Sequence, residues 1–78
     1  MVQFYVLEIQ KYEDGTYGHL VHWGSDEDPV KARMKAESKY HEVLAAAAVS
    51  QLPMHSAALI AANGNCLMHE SYEHNKEE

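Results

Sequence analysis

The chain opens on an apolar run broken only by Gln3 and Glu8, short enough and rich enough in β-branched residues to mark a strand. In Val2-Gln3-Phe4-Tyr5-Val6-Leu7-Glu8-Ile9, β-branched and aromatic residues dominate. Phe4, Val6 and Glu8 share one face; Tyr5, Leu7 and Ile9 share the other. Both faces are mostly apolar, which predicts a central strand covered on both sides. Asp14-Gly15 follows as a hairpin signal, because glycine accepts the positive φ of such turns. A second strand, from about Thr16 to Trp23, sets Tyr17, His19, Val21 and Trp23 against Gly18, Leu20 and His22.

The period then changes. Ser25-Asp26-Glu27-Asp28-Pro29 is a helix start, with Asp28 placed to cap free N–H groups and Pro29 at the first helical position. The helix is expected to run to about Gln51 and end before Pro53. Its apolar face centres on Ala36, Tyr40, Val43, Leu44 and Ala47. The small Ala45–Ala48 run lets a neighbouring element approach closely. A third strand, about Met54–Ala62, leads into Asn63-Gly64, a strong hairpin signal, and a fourth covers about Asn65–Tyr72.

Two hairpins flanking one helix predict an α+β fold, ββαββ, with a four-stranded, mainly antiparallel sheet and one long helix packed on one face. The domain is expected over residues 1–74, with a short acidic tail at 75–78. One helix covers one sheet face, so the other exposes Tyr5, Tyr17, Trp23, Leu67 and their neighbours. Exposed apolar surface of that size implies a partner, and the simplest is a second copy: a homo-oligomer, dimer or higher.

Composition narrows the picture further. Seventy-eight residues is close to the size at which a lone core becomes marginal. The single cysteine, Cys66, excludes an internal disulfide and fits a reducing compartment. The opening apolar run is too short for a membrane span and contains Glu8, so a soluble protein with no membrane partner is expected. Twelve acidic residues against six basic give a formal charge of −6, which disfavours direct binding to nucleic-acid duplexes.

Candidate chemistry gathers on the helix. Lys31, Lys35, Lys39 and Glu42 fall on one side, either an ordinary solvated face or an anion-contacting ridge. Arg33 and Glu37 are expected near the middle of the apolar face, continuing through i,i+4 spacing to His41 as one polar stripe. The stripe reads as an overhang beyond the sheet, as an ion pair at a subunit interface, or as a ligand site. In the ligand reading Arg33 binds an anion, Glu37 orients it, and Tyr40 and His41 hydrogen-bond the ligand.

The six histidines invite a metal, but His19 and His22 point to opposite faces of a strand, as do Cys66 and His69. His41 and His55 are placed to meet without a third ligand, so neither a metal nor a cofactor is expected. Five tyrosines and one tryptophan against a single phenylalanine favour rings with one packed and one polar end, a composition that leans toward binding. With no phosphate loop and no paired catalytic carboxylates, the reading is non-enzymatic.

The string Lys39-Tyr40-His41-Glu42-Val43-Leu44-Ala45-Ala46-Ala47-Ala48-Val49-Ser50, together with Glu8-Ile9-Gln10-Lys11-Tyr12-Glu13-Asp14-Gly15-Thr16-Tyr17, resembles short uncharacterised proteins of phages and mobile elements of Gram-positive gut bacteria. That resemblance implies a phage accessory protein in the host cytoplasm and assigns no residue a role. The expected function is an anti-defence binding protein that sequesters a small anionic ligand such as a signalling nucleotide. The alternatives are an acidic inhibitor of a host defence protein, or a minor virion or assembly protein acting through oligomerisation.

Overall fold

The first turn forms as its chemistry dictates. Gly15 adopts φ of 90°, and the Asp14 carboxylate accepts hydrogen bonds from both the N–H and the hydroxyl of Thr16, at 3.0 and 2.7 Å. A computed structural model describes residues 1–74. The expected acidic tail lies outside the described residues. The elements are β1 (Val2–Lys11), β2 (Tyr17–Asp26), α1 (Pro29–Ala48), β3 (Met54–Ile60) and β4 (Cys66–Glu73).

They form the expected ββαββ fold: one antiparallel sheet in the order β2-β1-β3-β4, with α1 packed on one face. β1 is central, as its doubly apolar pattern requires, and β2 and β4 are the edges. The second turn repeats the logic of the first, with Gly64 at φ of 96° and the Asn63 side chain accepting from the Asn65 N–H. A register shift between Leu59 and Ile60 marks a bulge where β4 begins.

Asp28 caps α1 by accepting from the Val30 N–H at 3.0 Å, and Pro29 opens the helix. The helix ends at Ala48, short of the expected Gln51. Val49 and Ser50 turn their N–H groups back to the Ala46 and Ala47 carbonyls, and the Ser50 hydroxyl captures the Leu52 N–H. That side-chain acceptor competes with continued helix.

His74 then donates to the Ala47 carbonyl at 2.9 Å, tying the end of the chain's last strand region to the helix terminus. Gly24 sets how close α1 lies, since a Cβ there would stand 2.6 Å from the Ala36 backbone nitrogen. The buried face of α1 is Ala32, Ala36, Tyr40, Val43 and Ala47, over Val6, Ala57 and Leu59 of the sheet.

Candidate functional site

Beneath the helix the alternation of β1 carries one carboxylate inward. Glu8 follows Val6 on the covered face and is 8% exposed. A buried carboxylate is costly unless its oxygens are occupied. Here His22 of β2 meets Oε1 at 3.0 Å, and His55 of β3 meets Oε2 at 2.6 Å. Gln10 donates to Oε2 at 3.2 Å, and the Tyr12 hydroxyl donates to Gln10 Oε1 at 3.0 Å, fixing the amide's orientation. Burial pushes the Glu8 carboxyl up, but the hydrogen bonds from the two histidines outweigh it and hold it below its ordinary value.

An ionised carboxylate only accepts, so both imidazoles donate through Nε2, and this sets their tautomer. Nδ1 of His55 is then left buried without a partner. His22 is more open, with about a quarter (26%) of its side chain exposed. Chemically, the cluster is a covered carboxylate held by two imidazole donors, and it ties β1, β2 and β3 together. Among the described residues no group is arranged to hold a metal ion.

The four residues singled out on the helix are dispersed. Arg33 and Glu37 pair through Nε and Oε2 at 2.8 Å, but Arg33 is 47% exposed and the pair lies on the flank of α1, away from the centre of the apolar face. The helix is anchored instead by Ala32 and Ala36, which turns the intervening Arg33 outward. Tyr40 is buried in the core; burial, with Glu70 nearby, raises its phenol above the ordinary value. His41 is exposed and touches the Tyr40 ring edge-on, at 5.5 Å between centroids.

His55 therefore partners Glu8, where the chain alone suggested His41. Lys35 and Lys39 are held by Asp26 and Glu42 at 3.0 and 2.9 Å, so much of the basic ridge is neutralised locally.

The open face of the sheet is ordered in rows by the strand register. Trp23, Tyr5 and Ile60 form the row at one end, which Leu67 completes beside the bulge, and Val21, Leu7, Ala58 and His69 form the next. Below them come His19, Ile9, Ser56 and Ser71, then Tyr17, Lys11, Met54 and Glu73. Trp23, Val21 and Tyr17 are 60, 46 and 63% exposed. A cleft of about 240 Å³ closes the last row, lined by its four residues and Pro53.

Sequence reasoning missed the Glu8 cluster, although the signal was present. A carboxylate on the same strand face as Phe4 and Val6 needs partners, and His22 and His55 are inward-facing histidines able to supply them. No helix among the described residues is long and apolar enough to cross a membrane. No family model, no curated protein and no solved structure matches the chain.

Proposed function

We propose that the protein is a non-enzymatic binding protein that acts through the open face of its sheet. The observation that carries this reading is the exposure of Trp23 at 60%, on a strand whose backbone is pinned along its length by β1. A rigidly held tryptophan with neighbouring Val21, Tyr17 and Tyr5 has the character of an interface anchor, because large aromatic area is gained with little loss of side-chain freedom. The polar groups around it, His19, His69, Lys11 and Glu73, supply a rim. An accessory, anti-defence role in an infected bacterial cell belongs to the same proposal as its context.

A second reading places a small anionic ligand, such as a signalling nucleotide, at Arg33, Glu37, Tyr40 and His41. The gathering of Lys31, Arg33, Lys35 and Lys39 on α1 favours it. Binding there requires Arg33 to exchange Glu37 for the ligand, and Tyr40 to emerge from the core.

Native mass spectrometry of protein purified from its producing cells separates the two readings. Added mass, whether protein or small molecule, that is lost in Val21→Lys and kept in Arg33→Ala is the expected result. Added mass with the opposite dependence favours the helix reading. A bare single chain throughout defeats both.

A further inference from the structure

Resting on the reading of the open face as the binding surface, we infer that its occupant is a second copy of this chain, packed face to face about a two-fold axis parallel to the strands.

The relief of the face selects that axis. β1 and β2 carry a ridge of large side chains, including Leu7, Ile9, Val21 and Trp23, whereas β3 and β4 carry a low shelf in their middle rows, Ala58, Ser56 and Ser71, between Ile60 at one end and Met54 and Glu73 at the other. Rotation about an axis along the strands exchanges the two sheet edges. β2 then lies over β4 of the second copy, and β1 over β3, so each ridge fills the opposite shelf. Leu7 faces Ala58 of the second copy and Ile9 faces its Ser56. Rotation about an in-plane axis across the strands would instead set every strand over its own equivalent and stack ridge on ridge. Both axes leave the strands of the two copies aligned, so the relief of the face decides between them.

Charge agrees with shape. Lys11 leans toward the β2 edge, with its ammonium 5.9 Å from the centre of the Tyr17 ring. The two-fold brings Glu73 of the second copy over Tyr17. Lys11 and Glu73 therefore meet between copies, once on each side of the axis.

Two further considerations point to a second copy. The covering partner must be present whenever the chain folds, because the interior is poor. Among the described residues, eight apolar side chains are buried, four of them alanines, and only Leu59 and Val6 are large and fully enclosed. Area is adequate as well. Four strands spaced about 4.8 Å apart, with about eight residues each at 3.3 Å, span roughly 500 Å² in projection. The side chains rising from that plane bring the accessible area toward the roughly 800 Å² per partner of a stable interface.

The test combines mass and cross-linking. The intact protein is expected at twice the chain mass by sedimentation and native mass spectrometry. Ala58→Arg, which fills the shelf with charge, is expected to be a folded monomer by circular dichroism. Lys11→Glu and Glu73→Lys are each expected to weaken the dimer, and the double variant to restore it, a rescue that an unfolded chain cannot imitate.

In a Cys66→Ser background, a short bis-maleimide should bridge Trp23→Cys of one copy to Leu67→Cys of the other, while Tyr17→Cys in place of Trp23→Cys should give no bridge. Within one chain positions 23 and 67 lie on opposite edges of the sheet, too far apart for the reagent. A dimer that fails to cross-link overturns the two-fold arrangement. A stable monomer carrying some other molecule, lost in Val21→Lys, overturns the second copy and leaves the open-face reading standing. A bare stable monomer overturns both.

Discussion

Glu8 and His55, 47 residues apart in sequence, meet at 2.6 Å beneath the helix. With His22 on the other carboxylate oxygen, this contact links the first hairpin to the second, and the helix covers it. Folding has brought together one acid and two bases from three strands, so the cluster is a long-range lock on the strand order.

Removing its centre is expected to be severe. Glu8→Ala leaves two imidazole donors without their acceptor in a covered site, and should cost about 2–5 kcal/mol, from about 1–3 kcal/mol for each donor left unsatisfied. Glu8→Gln keeps the shape and one acceptor and should cost less, about 1–3 kcal/mol. Chemical denaturation of the two variants checks the order, and equal stability of Glu8→Ala and the parent would refute it.

The same cluster sets an acid dependence. The Glu8 carboxyl lies below its ordinary 4.5 in the folded protein. The unfolded chain therefore takes up this proton first as pH falls. The stabilisation is complete above the unfolded value and is lost as pH drops through the folded one. Thermal midpoints should be flat down to about pH 5 and then fall. Asp14, Asp26 and Glu42 are depressed too, by their own bonds to Thr16, to the Asp28 N–H and Lys35, and to Lys39, and these persist in Glu8→Gln, so the difference between the parent and Glu8→Gln isolates Glu8. Parallel acid profiles for the two proteins would contradict the assignment.

Two glycines are expected to respond differently to alanine. At Gly24 the new Cβ meets the Ala36 backbone nitrogen at 2.6 Å and Lys35 Cβ at 2.8 Å, so the helix must move off the sheet. A loss of about 2 kcal/mol, or roughly 10 °C in Tm, is expected. At Gly18 the nearest atoms belong to the Tyr12 ring, the end of an exposed side chain that can swing away. Gly18→Ala should cost under about 1 kcal/mol. Calorimetry of the pair decides, and similar losses would show that Gly24 does not set the helix distance.

The Asp28 cap and the Arg33–Glu37 pair offer a second contrast. Asp28→Ala strips the acceptor from the Val30 N–H and should cost about 1 kcal/mol. Arg33→Ala breaks a half-exposed i,i+4 pair and should cost no more than about 0.5 kcal/mol. Urea midpoints are enough to rank them, and a larger loss for Arg33→Ala would point to a role beyond this pair.

Local chemistry in the sequence determined the elements and therefore the fold class. Asp14-Gly15 and Asn63-Gly64 encode their turns through φ, Asp28-Pro29 encodes the helix start, and alternation encodes the strands. Each of these signals is a property of neighbours in the chain. The helix end was less legible, because the Ser50 hydroxyl competes with continued helix before Pro53 can act.

Only the tertiary structure decided the strand order and, with it, the partners of Glu8. Pairing β1 with β3 is a contact between distant segments, and nothing in local periodicity distinguishes it from pairing β1 with β4. The helix face was legible to within one step of rotation. Ala32 and Ala36, small enough to seat against Gly24, turned Arg33 and Glu37 outward, because close approach of backbone to sheet outweighs the average direction of an apolar stripe.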